Sequence, residues 1–367
     1  MDMPVQPEED PGPSYTRTSL EIEAGSPEPE SDSDSDLNSF SGLDGEESIK
    51  STHSCTYQNL PNIEENNRRY CDTTYFMPND ETELTRLNIV HQIYLILLEG
   101  RLTLTPFTTD SPRILDIGTG PGDWAIEMSA EYPNATIIAS DLGIFDSGIA
   151  HVSIPNVDFQ LADAQSSWTY QEPFDLIHIR GLSGAFKDWR GIYQQAFTHL
   201  KPGGYIEIAD TDPAGDTVTT EGNTPNLQIY ASALRTTGEI SGYPRNLHHL
   251  RRETLLAAGF SDINVLEQCF PIGLSDDPYE KTLGKMALIA LLEGLEAHAL
   301  RPLTKFAGFT FDAARELCGK VQEEILATGK ITGRVRIATA KKPISFEQRR
   351  DDVLARAMAR VRDLSKG

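Results

Sequence analysis

Apolar positions in this chain repeat at two spacings, and the order in which the spacings alternate predicts an α/β fold. The stretch TELTRLNIVHQIYLILLEGRL places Leu84, Leu87, Val90, Ile93, Tyr94 and Leu97 three and four residues apart, the spacing of one helical face. Asn79 or Asp80 can cap this helix, and Tyr75, Asn79, Asp80, Glu83 and Arg86 fall on its polar side. Short apolar runs then read as strands: ILDI at 114–117, ATIIASD ending at Asp141, VDFQLA, FDLIHI at 174–179 and YIEIA at 205–209. Amphipathic segments separate them, and one helix ends at Leu200 before the turn Lys201-Pro202-Gly203-Gly204. Further helices are predicted over 226–238 and within LHHLRRETLLAAGF, which stops at Gly259, followed by strand six over 263–270. Helical blocks over 279–300 and 311–328 precede RVRIATA at 334–340, which alternates and is rich in β-formers. Strands alternating with helices in this way call for a sheet with helices on both faces.

The junction after the first of these strands carries the chemistry. ILDI runs directly into Gly118-Thr119-Gly120-Pro121-Gly122, with a helical pattern starting at once. Such a turn lets a ligand lie against bare backbone, because a Cβ would hold it away. Asp116 stands two residues before the first glycine, and Asp141 ends the next strand, a spacing that suits a carboxylate holding ribose hydroxyls. A nicotinamide site usually reads G-x-G-x-x-G and must accommodate a pyrophosphate. A carboxylate in front of alternating glycines repels that group but suits the ammonium and sulfonium charges of S-adenosylmethionine. Asp163-Ala164, after the third strand, can accept a hydrogen bond from an adenine amino group.

The series D-x-G-x-G-x-G … D … DA … FDLIHI … LKPGGYIEI resembles the class I S-adenosylmethionine-dependent methyltransferases. Y-x-x-P-N-D-E-x-E-x-x-R-L-N-x-x-H, from Tyr75 to His91, narrows the resemblance to the fungal LaeA-like methyltransferases over residues 70 to about 342. The resemblance implies a Rossmann-like seven-stranded sheet with its last strand antiparallel, a helical N-terminal cap over 69–110, a catalytic domain over 111–342, and a helical insertion at about 275–330 walling the substrate side. It implies Asp116 at the methionine amino group, Gly118, Thr119, Gly120 and Gly122 in the cofactor turn, Asp141 on the ribose, and Leu142, Asp163 and Ala164 around the adenine. The family often has Cys between the first two glycines, Thr after the second, and an aromatic or Met-Gly pair after the fourth strand. Here Thr119, Pro121 and Arg180-Gly181 stand instead. The activity implied is O- or N-methylation of a small molecule of fungal secondary metabolism. The alternative is a nuclear regulator of secondary metabolism working through protein partners; a protein methyltransferase is a third reading.

Methyl transfer needs an aligned nucleophile, and a general base only where the acceptor must lose a proton. His178, at the end of the fourth strand, is the candidate base, although a histidine there is often a satisfied core residue. Arg180 follows on the same side. Tyr75, Trp189 and Tyr230 are candidates for an aromatic acceptor wall, with Trp189 alternatively anchoring its helix. Glu207 reads as structural, and His248 and His249 as exposed residues starting a helix. No Asp/His spacing suggests a metal.

Charge changes the picture at the two ends. Of a formal net charge of −23 over 367 residues, residues 1–68 contribute sixteen acidic side chains against three basic ones. This segment is too poor in apolar residues to offset ordering entropy and is expected to be a disordered acidic leader. Ser31, Ser33 and Ser35, each followed by Asp, suit acid-directed kinases, with a plain solubilising tail as the simpler reading. Residues 343–367 read as a basic C-terminal helix, with Val353, Ala357, Val361 and Leu364 on one side; leader and terminal helix are the surfaces expected to meet any protein partner. The acidic balance argues against nucleic acid. Cys55, Cys71, Cys269 and Cys318 form no C-x-x-C pair. With no signal-like or membrane-length apolar run, a soluble intracellular protein, cytoplasmic or nuclear, is expected.

Overall fold

A computed structural model describes residues 63–143, 145, 154–212 and 217–345. The leader's serines, Cys55 and the expected terminal helix lie outside the described residues. The first element is a hairpin, β1 (Ile63–Glu65) and β2 (Arg68–Tyr70), joined through Asn66 and Asn67 at φ 54° and 57°. Two consecutive left-handed asparagines make the tight turn that matches strand twist. The hairpin crosses the expected boundary at residue 68 and opens the cap. Helix α1 (Glu81–Leu97) follows, capped by Asp80, whose side chain accepts from the Glu83 amide.

Next come β3 (Arg113–Ile117), α2 (Asp123–Glu131), β4 (Thr136–Asp141), β5 (Val157–Leu161), β6 (Phe174–Arg180), α3 (Trp189–His199) and β7 (Leu200–Asp210). The short β8 (Val218–Thr220), α4 (Pro225–Ser241), α5 (Arg252–Ala257), β9 (Ser261–Ile272), α6 (Pro278–Phe306), α7 (Phe311–Ala327) and β10 (Ile331–Lys341) complete the order. The sheet runs β5-β4-β3-β6-β7 in parallel, then β10 antiparallel between β7 and β9. This is the α/β sheet with an antiparallel last strand that the sequence predicts, in eight strands among the described residues rather than seven. The extra one, β8, pairs with Ile331–Gly333 of β10. Three residues are too few to show a period, so no pattern announces it.

Alternation along β3 sends Ile114 to one face, packed with Trp124 and Met128 of α2, and Leu115 and Ile117 to the other, packed with Ile192, Tyr193 and Ala196 of α3. A separate core forms where α1, α4, α6 and α7 cover the β9–β10 end of the sheet, with Ile93, Leu234, Leu300, Val321 and Ile337 inside. The helical insertion therefore sits between β9 and β10 and packs back on α1.

The helix predicted through LHHLRRETLLAAGF is interrupted. His248–Leu250 form a single 3-10 turn, Arg251 is extended, and α5 starts at Arg252. His249 fixes the break. It is buried rather than exposed, its Nε2 lies 2.9 Å from Asp210 Oδ2, and its ring stacks on Trp189 at 3.8 Å. Trp189 is accordingly a helix anchor within the core and not an acceptor wall.

Candidate active site

The turn between β3 and α2 holds Gly118, Gly120 and Gly122 at φ 68°, 59° and 93°, a region L side chains rarely adopt. The Gly118 and Thr119 amides donate to the Ser140 carbonyl at 2.8 and 3.1 Å, and the Gly120 amide donates to Asp141 Oδ2 at 2.8 Å. Asp141 Oδ1 accepts from the Gly143 amide at 3.0 Å, so one carboxylate ties the turns after β3 and β4 together. Burial raises the Asp141 pKa, and these amides oppose the shift. Gly118 and Gly120 line the cleft described below, and what a Cβ would meet differs among the three glycines. At Gly118 it would lie 2.6 Å from Leu182 Cδ1, and at Gly122 2.8 Å from Phe159 Cε1. At Gly120 only Leu87 Cδ1 approaches, at 3.6 Å. Two glycines thus make room for protein, and one faces open space.

Asp116 and His178 are register partners on the adjacent strands β3 and β6. Asp116 Oδ1 lies 2.7 Å from His178 Nδ1, and the His178 ring stacks on Trp124 at 3.7 Å with planes 5° apart. Trp124 is held in turn by its Nε1 donating to the Leu102 carbonyl at 2.7 Å. His178 lines the cleft, but its Nδ1 is committed to orienting Asp116. The other carboxylate oxygen, Asp116 Oδ2, is buried with no partner among the described residues. Arg180 puts Nη2 3.0 Å from His91 Nδ1 and its guanidinium 4.9 Å over the Tyr94 ring. His91 Nε2 lies 3.1 Å from Glu127 Oε2. Burial first, then the Arg180 charge, lowers the His91 pKa. The neutral Nε2–H tautomer leaves Nδ1 free to accept from Arg180.

Asp116, Trp124, His178 and Arg180 face one cleft that also takes in Tyr75, Pro78, Glu83 and Arg86, so the polar side of α1 is turned inward. Arg86 Nε and Nη2 donate to the two Glu83 oxygens at 2.8 and 2.6 Å. About 1000 Å³ of empty space lies within the cleft and its mouth. Four of its lining residues carry a buried polar atom without a partner: Asp116 Oδ2, Thr119 Oγ1, Ser183 Oγ and Arg245 Nε. Ser183, Arg245 and His298 were missed at the sequence level.

Other expected residues stand apart from this lining. Tyr230 faces a neighbouring chamber and donates its hydroxyl to the Leu295 carbonyl at 2.9 Å. Asp163 is exposed, with Oδ1 accepting from the Gln165 amide at 2.8 Å. Its neighbour Ala164 offers its carbonyl to Trp168 Nε1 at 2.9 Å, while Leu142 follows Asp141 half-buried. Glu207 is structural: its Oε2 accepts from Thr103 Oγ1, the Leu104 amide and Thr105 Oγ1 at 2.8, 2.9 and 2.9 Å.

Residues 89–261 match a family model described as a methyltransferase domain. The secondary metabolism regulator LAE1 of Cochliobolus heterostrophus is 34% identical over 282 residues, covering 73% of this chain and 90% of that protein. The methyltransferase pytC of Aspergillus terreus is 31% identical over 69% of this chain and 78% of its own length. The chain belongs to the LaeA-like class I S-adenosylmethionine-dependent methyltransferases. Among solved structures, Haemonchus contortus phosphoethanolamine N-methyltransferase 2 in complex with S-adenosyl-L-methionine is similar at TM-score 0.42 and 22% identity, covering 69% of this chain and 52% of that one. In this LaeA-like methyltransferase the departures at Thr119 and Pro121 leave the backbone bonds of the turn intact. No helix among the described residues is long and apolar enough to cross a membrane.

Proposed function

We propose that this methyltransferase holds S-adenosylmethionine in the glycine-turn cleft and methylates an oxygen or nitrogen of a small molecule of fungal secondary metabolism. One observation carries the reading: buried, unpartnered polar atoms of Asp116, Thr119, Ser183 and Arg245 meet at a cleft floored by Gly120. A donor set of this kind fits a ligand with ammonium, carboxylate and hydroxyl groups. Asp116 Oδ2 would accept from the amino group, with Gly118, Thr119, Gly120 and Gly122 forming the turn beneath. Asp141, whose two oxygens each accept one amide, keeps lone pairs for ribose hydroxyls. Leu142, Asp163 and Ala164 would serve the adenine end. When bound, the sulfonium supplies an electrophilic methyl group; His178 keeps Asp116 in place, and α1 with Tyr75 screens the site from water.

A small acceptor is favoured because the cleft runs under α1 and adjoins a second, mostly apolar pocket. The thiols of Cys71, Cys269 and Cys318 are all free, which supports a reducing compartment, the cytoplasm or nucleus. The likeness to LAE1 favours a second reading, a regulator acting on protein partners. Titration calorimetry with S-adenosylhomocysteine tests the first part: wild type should bind, and Asp116→Asn should weaken binding at least tenfold. Labelled S-adenosylmethionine added with culture extract tests the second. Label on a small product supports the reading, and label on protein alone overturns it in favour of the regulator.

A further inference from the structure

Beside the cofactor cleft lies a second pocket, partly open to solvent, with about 860 Å³ of empty space counting its mouth, between α1, α4, α6 and the β8–β10 end of the sheet. Its walls are mostly apolar, with Ile93, Leu97, Leu227, Ala290, Leu291 and Val335 among them. The two cavities share three residues, Arg86, Val90 and His298. Gly294 explains how two of these sit together. A Cβ there would lie 3.4 Å from His298 Cδ2 and 3.6 Å from Arg86 Cδ, so the bare helix turn leaves space for both side chains. No described residue hydrogen-bonds to the His298 imidazole, although it belongs to the wall of both cavities. Arg245, 7% exposed, lines the cleft side of this junction with Nε unpartnered.

We propose that the apolar chamber is the acceptor site, that it takes an elongated apolar molecule ending in a phenol or enol, and that His298 accepts the hydroxyl proton during methyl transfer. The proposal rests on the cofactor reading above and extends it to the acceptor. In the step, the acceptor O–H bond breaks and its proton goes to the imidazole. The oxygen's electron pair forms the O–CH3 bond, and the pair of the breaking S–CH3 bond stays on sulfur as a neutral thioether. The imidazolium then returns its proton to water.

The charges at the junction explain why the hydroxyl must be acidic. Burial, then Arg86 and Arg245, hold the His298 pKa well below the usual histidine range, so the ring is neutral and a weak base. The same guanidiniums stabilise an oxyanion forming beside them. A weak base next to an anion site takes a proton from a phenol or enol but not from an aliphatic alcohol. The ionisable groups around the junction are Arg86 with its partner Glu83 and Tyr94 from α1, Tyr75 before it, Tyr230 from α4, Arg245 after α4, and Arg334 from β10. Glu83 is bonded to Arg86 and offers no competing base.

The test uses the full chain saturated with S-adenosylhomocysteine and two probes, 4-octylphenol and its 2-nitro derivative, whose phenolate is coloured. Wild type should bind 4-octylphenol in calorimetry. Ala290→Trp and the milder Leu291→Phe, which fill the chamber, should each weaken it at least tenfold with S-adenosylhomocysteine affinity unchanged. His298→Gln should retain the probe, but the bound phenolate colour should disappear at a pH at least one unit higher than in wild type. Unaltered probe affinity in a folded chamber-filling variant, or the same colour transition in wild type and H298Q, overturns the proposal. So does loss of S-adenosylhomocysteine binding in H298Q, which would place His298 in the cofactor site. A wild-type protein that ignores S-adenosylhomocysteine refutes the cofactor reading instead.

Discussion

Gly120→Ala separates the ligand-facing role of the glycine turn from its role in packing. Residue 120 has φ 59°, and a left-handed conformation costs an L residue about 1–2 kcal/mol. The added methyl meets only Leu87 Cδ1 at 3.6 Å, an ordinary contact, so no packing strain is added. At about 2–4 °C per kcal/mol, the melting temperature should fall by roughly 2–8 °C and the fold should survive. The methyl also stands on the cleft floor. It should reduce S-adenosylhomocysteine affinity by about tenfold or more, equivalent to about 1.4 kcal/mol. Gly118→Ala should behave differently. Its backbone is equally left-handed, at φ 68°, but its Cβ would lie 2.6 and 2.7 Å from the two Cδ atoms of Leu182. Overpacking of this kind adds about 1–3 kcal/mol, for a total loss of about 2–5 kcal/mol.

Urea denaturation and titration calorimetry on both variants distinguish the effects. G120A should be the more stable of the two and still bind S-adenosylhomocysteine poorly. An unchanged dissociation constant in G120A refutes the cofactor assignment of the turn. G118A matching or exceeding G120A in stability refutes the packing argument.

Two further outcomes follow from buried groups away from the turn. Glu207→Ala removes the acceptor of three hydrogen bonds to residues 103–105, and charge-assisted bonds contribute about 1.5–3 kcal/mol each, so unfolding free energy should fall by about 3 kcal/mol or more. S-adenosylhomocysteine affinity should hold, and an affinity loss without destabilisation would make Glu207 functional. His298 has its pKa depressed in the fold, so between that value and about 6.5 the unfolded chain binds the extra proton and stability falls as pH drops. Its contribution is intact above about pH 6.5 and declines by about 1 kcal/mol by pH 5.5; H298Q should flatten the urea midpoint over this window, and an unaltered slope would show that the imidazole is not held neutral.

The sheet and the glycine turn were legible because their signals are local. Ile114, Leu115 and Ile117 are apolar next to three glycines, and no tertiary context is needed to read a strand running into a left-handed turn. The cap of α1 was legible to within Asn79 or Asp80, and the structure places it at Asp80. Trp189 was ambiguous because a large aromatic side chain serves a core or a pocket equally well. Only its stacking on His249, sixty residues along, decides the matter. Arg245 and His298 gave no local sign. Helix α6 is apolar on several sides, so a single histidine within it has no pattern to break, and its meaning comes from Arg86 across Gly294. The β1–β2 hairpin did have a signal in Asn66-Asn67, obscured by the acidic composition around it.

Ser183 and Arg245, which sequence reasoning missed, and Asp116 and Thr119, which it found, share one physical property, a buried polar atom without a partner among the described residues. Leaving a buried polar atom unpaired costs about 1–3 kcal/mol, and a fold normally avoids it. Here four such atoms come from separate segments: the β3 strand, the turn after it, the loop after β6 and the loop after α4. Other buried atoms without partners, such as Trp189 Nε1 and the Tyr70 hydroxyl, lie away from this cleft; at the cleft the stacked Trp124–His178 pair orients a carboxylate whose second oxygen has no partner among the described residues. The chemistry of the gathered atoms is also mixed, with a carboxylate, two hydroxyls and a guanidinium N–H, and a metal ion or a plain anion would not use such a set. A zwitterionic ligand of the kind proposed above has a group for each of these atoms.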